Sequence, residues 1–82
     1  MANVQMLKGK MVERGLSTRS VADALGVHVS SLYRRFDDEG SNFSVGEANK
    51  ICKLLQLTPK EATNIFFDQF VAWYATQKKS EE

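Results

Sequence analysis

Eighty-two residues suffice for one small domain around a single core and little more. Hydrophobic residues make up 43% of the chain, an ordinary share for a globular protein, so disorder is not the expectation. The formal net charge is +1, from 11 Lys and Arg against 10 Asp and Glu, so any basic face must be local rather than global. The spacing Val4, Leu7, Met11, Val12 predicts a first helix from about Val4 to Arg14, with Gly15 where a C-terminal stop is wanted. Gly9 inside it weakens the helix by about 1 kcal/mol relative to Ala, and close packing against another element is the expected reason. Lys8, Lys10 and Arg14 are read as solvated, or as cations some of which reach phosphates.

The stretch Leu16 to Phe36 then reads as two short helices broken by a tight turn. Ser17 can cap a helix start by accepting an orphan backbone N–H. Val21, Ala22 and Leu25 share one face, and Gly26 stands where the chain turns left-handed. A second stripe follows in Val29, Leu32 and Phe36, at i, i+3 and i+7. Between these apolar positions lie Ser30, Ser31, Tyr33, Arg34 and Arg35, short hydroxyls and long cations on the outward side. Ala22 is small enough to let the helices approach closely, and Val27 can plug the gap. These are the requirements of a helix-turn-helix whose second helix offers hydrogen-bonding groups to a groove.

The SVADALG run, Val27, the Ser30-Ser31-Leu32 triplet and the closing Phe36 resemble the helix-turn-helix of the lambda-repressor-like domains, the Cro and phage-repressor class. The resemblance runs from about Leu7 to Phe67. Three capped helical starts, two Gly stops and no alternating apolar strand pattern predict five helices around one core with no sheet. The resemblance implies the same all-α fold, with the helix-turn-helix at helices 2 and 3. It also implies a sequence-specific regulator, a Cro-like or phage repressor, that binds double-stranded operator DNA as a homodimer. By the resemblance, Val29, Ser30, Tyr33 and Arg34 face DNA. Arg can read guanine through its fork, Ser either base edge, and Val a thymine methyl. Thr18 resembles a phosphate-clamp position with Arg19 beside it, and Arg35 is expected to meet the DNA backbone. His28 occupies a turn position where the resembling domains usually place Ser or Thr. It is read first as a surface histidine, with a phosphate contact as the sharper alternative.

After Phe36, Asp37-Asp38-Glu39-Gly40-Ser41-Asn42 is a polar loop with turn chemistry. Its three acids depart from the family pattern; they sit away from DNA, or this surface does not meet DNA. Ser44-Val45-Gly46-Glu47 is a capping box with Phe43 as its hydrophobic staple, and the helix it opens buries Ala48, Ile51, Cys52 and Leu55. Gln56 stands where the family usually has Gly, so strain or extension is expected at that helix end. Thr58-Pro59-Lys60-Glu61 combines a cap, a Pro at the first helical position and a second capping box.

A fifth, extended helix is predicted from Pro59 to about Gln77, with a frayed tail over 78–82. The whole chain, 1–82, is thus one domain with its core in 4–67. The apolar residues of the last helix cover more than one stripe. Ile65 and Phe66 are expected to pack within the chain, leaving Phe70, Trp73 and Tyr74 for a homodimer interface. The expected core is Leu7, Met11, Val21, Ala22, Leu25, Val27, Leu32, Phe36, Ile51, Leu55 and Ile65.

Catalysis is not expected. No phosphate-cradling Gly loop and no His/Cys/Asp cluster is legible, and Asp37, Asp38 and Glu39 lack the spaced companions of a calcium loop. The single Cys52 rules out an internal disulfide and any Cys-based metal site, which fits a reducing cytoplasm. No cofactor, small-molecule substrate or membrane partner is expected. The competing function is a protein-interaction module, with the helix-turn-helix as scaffold and the aromatic C-terminal helix docked onto another regulator. Near-neutral charge and the acidic loop favour it, and the hydroxyl- and Arg-bearing helix speaks against it.

Overall fold

The computed structural model describes residues 2–38, 43–71 and 74. Five helices follow one another: α1 (Val4–Glu13), α2 (Thr18–Leu25), α3 (Val29–Asp37), α4 (Val45–Leu54) and α5 (Pro59–Ile65). Residues 67–71 and 74 are helical as well, and no strand occurs among the described residues. The fold is therefore all-α, as the periodicity predicts.

The starts of these helices are set by their caps. Asn3, Ser17, Ser44 and Thr58 each accept a backbone N–H from the first turn of the helix they open. Ser44 with Glu47, and Thr58 with Glu61, form the reciprocal bonds of two complete capping boxes. α1 ends at Glu13 with Arg14 as its cap, and Arg14 Nε donates to the Leu55 carbonyl at 2.8 Å. That carbonyl belongs to the capping residue of α4, so a side chain from one helix end satisfies an orphan group at another.

The core holds every residue expected there except Val27, which is half-buried and packed against its edge. Ala2, Phe43, Ala48 and Phe66 join it. Phe36, Phe43, Phe66 and Phe70 form an aromatic row, with successive ring centroids 6.2, 5.6 and 6.2 Å apart in the tilted and edge-on arrangements aromatic pairs favour. α2 is the hub of the bundle, lying against both α3 and α4, while α1 lies against α5. Cys52 is half-buried at the edge of the core, and burial pushes its thiol pKa up, away from thiolate reactivity.

Four expectations need correction. The single helix from Pro59 to Gln77 is interrupted at Phe66, where φ is −116° and ψ is 37°. Phe66 is wholly buried, and seating its ring in the core turns the chain out of helical geometry. The break leaves the Ile65 carbonyl to accept the Asn3 N–H at 2.7 Å, an acceptor that a continuous helix would direct to residue 69. Val12 belongs to no stripe: it is 79% exposed. Gly9 has nothing within 4 Å of where a Cβ would stand, so close packing is not its reason. Asp37 is the last residue of α3 and Asp38 its cap, so the polar loop starts later than Phe36 suggested. The strain expected after α4 is present, since Gln56 has a φ of 53°.

Candidate nucleic-acid interface

The turn between α2 and α3 is short because Gly26 closes it. Gly26 adopts φ 74° and ψ 29°, a left-handed conformation that costs glycine little and other residues more. Val27 N–H then returns to the Ala22 carbonyl at 3.0 Å, which redirects the chain within three residues. His28 takes the N-cap position of α3 in an extended conformation, and its side chain makes no capping bond. Its backbone carbonyl receives the N–H groups of Ser31 and Leu32. His28 is exposed at the entrance of α3.

α3 is held by Leu32 and Phe36, both buried, with Val29 half-buried on the same side. This seating turns Ser30, Tyr33 and Arg34 outward; all three are exposed. They stand at i, i+3 and i+4 and so form one patch on the helix surface. Thr18 opens α2 half-buried, and Arg19 beside it is exposed. The patch thus carries donors and acceptors of varied reach, one aromatic ring and a guanidinium, the equipment for reading base edges and gripping phosphates. Asp37 continues the same face at i+7 from Ser30 and is exposed, a carboxylate on α3 and not in the loop that follows it.

Arg35 is placed differently. Its Nη2 lies 3.0 Å from Glu47 Oε2, with both side chains about one-fifth exposed, and its Nη1 is buried without a hydrogen-bond partner. The cations of α1 are also engaged internally. Lys8 Nζ sits 5.2 Å above the Phe36 ring, and Arg14 caps α4. Lys10 bridges Glu13 at 3.2 Å and also pairs with Glu61. Lys8 and Arg14 make these contacts while staying exposed, as the solvated reading expects, and Lys10 is half-buried.

At the dimer positions expected from sequence, Phe70 is half-buried against Phe66 and Tyr74 is 61% exposed; Trp73 lies outside the described residues. Phe67 and Val71 are 55% and 48% exposed, and with Tyr74 they make a stripe at i, i+4 and i+7. Glu39 to Asn42 of the acidic loop also lie outside the described residues. Among the described residues no group of His, Cys, Asp and Glu is placed to hold a metal ion. None of their helices is long and apolar enough to cross a membrane.

The family model of the Cro/C1-type HTH DNA-binding domain matches residues 6–68. No curated protein and no solved structure shows significant similarity to the chain.

Proposed function

The chain belongs to the Cro/C1-type helix-turn-helix DNA-binding family, and from that premise we propose that it is a sequence-specific transcriptional repressor of the Cro or prophage kind. It binds operator DNA as a homodimer, with α3 as the recognition helix in the major groove. The observation that carries this reading is the outward patch of Ser30, Tyr33 and Arg34 on a helix whose other side is locked into the core. In this reading Arg34 reads a guanine, Ser30 a base edge, and Tyr33 a thymine methyl or a phosphate. Val29 lies at the margin of the contact. Thr18, Arg19 and His28 meet phosphates at the helix entrances.

The homodimer reading is supported by the exposed stripe of Phe67, Val71 and Tyr74, apolar surface that a second copy would cover. The same stripe favours the alternative, an interaction module that docks another regulator. Selection from a random-sequence duplex pool, followed by binding across a salt series, separates the two. A DNA regulator enriches one roughly palindromic sequence and loses affinity steeply with salt. Enrichment of no sequence, with salt-independent association to protein partners, would favour the interaction module.

A further inference from the structure

We propose that Arg35 is a positioning residue for DNA recognition, fixing the recognition helix against the start of α4 through Glu47. The proposal rests on the DNA-binding reading above and concerns how that site is held. Nη1 of the guanidinium is buried, and Nη2 is on Glu47 Oε2 at 3.0 Å, with about one-fifth of the side chain exposed. A phosphate must approach an exposed N–H, so Nη1 is closed to one, and Nη2 is already committed to a carboxylate.

Glu47 divides its two oxygens between two tasks. Oε1 accepts the Ser44 N–H at 3.1 Å, closing the capping box, while Oε2 takes Arg35. The Glu47 N–H in turn donates to Ser44 Oγ at 3.1 Å. Arg35 is therefore bonded, through one carboxylate, to the cap that defines where α4 begins. This matters because α3 and α4 both pack on α2 and approach each other less closely. Leu32 and Phe36 seat the apolar side of α3 in the core, and the Phe36–Phe43 ring contact, 6.2 Å between centroids, holds its end; neither bonds the polar flank of the helix. The charged bond from Nη2 to Glu47 fixes that flank of α3. Arg34, the neighbouring residue, is the side chain whose aim depends on it.

Glu47→Gln isolates the effect, because Gln still accepts the Ser44 N–H and keeps the capping box while facing Arg35 with a neutral amide. Ordinary electrostatics expects removal of a carboxylate near a DNA-binding face to tighten binding. The positioning role predicts the opposite. Binding would be measured by fluorescence anisotropy on a duplex enriched from a random pool by the wild-type chain, and on an unrelated duplex. The temperature is one at which circular dichroism shows every variant folded.

The expected result for Glu47→Gln is a loss of about fivefold on the enriched duplex, the most that a partly exposed pair commonly supplies. Its salt slope is unchanged, and exchange of the Asp38 amide, which closes the last turn of α3 onto the Arg34 carbonyl, is faster. Arg35→Met should show the same loss and the same slope, and the double variant should be no worse than either single one. Unchanged or tighter binding by Glu47→Gln would overturn the proposal. So would a slope that falls by about 0.9 in Arg35→Met, the signature of a lost phosphate contact. A wild-type chain that enriches no duplex overturns the DNA-binding reading itself, and the proposal with it.

Discussion

Gln56 holds a left-handed φ of 53° immediately after α4, where its N–H returns to the Lys53 carbonyl and the Leu57 N–H to Cys52. A side chain in this conformation costs about 1 kcal/mol that glycine avoids. Gln56 is exposed, so Gln56→Gly should raise stability in urea unfolding by a few tenths to about 1 kcal/mol, the greater freedom of an unfolded glycine cancelling part of the gain. Gly9 gives the mirror case. It lies mid-helix with open space where a methyl would stand, so Gly9→Ala should stabilise the fold by up to about 1 kcal/mol. A loss of stability in either variant would show that these positions are held by something other than local geometry. At the interface, Arg34→Ala should cost about 1–3 kcal/mol on a selected duplex and relax preference at one base position, while Thr18→Ala weakens all sequences alike. Competition binding against single-base variants of the duplex checks both.

Among the elements, α5 carries the clearest pH dependence. Glu61 bonds Lys10 and the Thr58 backbone, and together these lower its pKa from 4.5 to about 2. A lowered carboxylate pKa means that its stabilisation is complete above the unfolded value and disappears as pH falls through the folded one. Glu61→Gln keeps the capping box and removes the titration. Thermal unfolding of the two chains should therefore differ by a constant amount above about pH 5, and the difference should shrink toward nothing between pH 4.5 and 2. A difference that persists at pH 2 would assign Glu61 another role. The caps that open α2, α4 and α5, and the glycine between α2 and α3, were legible in sequence because each acts within four residues. The break at Phe66 was not. Ile65-Phe66-Phe67 contains neither Gly nor Pro, and only the depth at which Phe66 is seated interrupts the helix. The same limit applies at the site. Ser30, Tyr33 and Arg34 follow from which side of α3 is apolar, whereas the Arg35–Glu47 pair joins two elements across a turn that periodicity cannot fold. Gln56 was legible as an anomaly because its local position asks for Gly.

For the whole molecule, near-neutral charge makes DNA affinity depend on placement. Lys8, Lys10 and Arg14 make contacts within the fold, and Arg19 and Arg34 are the exposed cations of α2 and α3. A dimer doubles that small complement and presents two recognition helices, which must lie about 34 Å apart to enter successive major grooves. Phe67→Ser with Val71→Ser should shift sedimentation from dimer to monomer at tens of micromolar and weaken binding to a palindromic duplex far more than to a half-site. A dimer that survives both substitutions would place the contact elsewhere.

The two ends of α1 are each tied to a distant part of the chain, Asn3 N–H to the Ile65 carbonyl and Arg14 to the Leu55 carbonyl. Each tie closes a large loop, so the entropy spent in forming one is largely shared by the other. Helix α1 thus cannot peel away by degrees; releasing it exposes the ends of α4 and α5 together. Slow amide exchange should accordingly fall into one class across α1, α4 and α5, with a common opening free energy equal to that of global unfolding. The reading head of α2 and α3 has no existence apart from that clasp: trimmed of α1, the remaining chain should lose its cooperative transition altogether instead of persisting as a smaller DNA reader.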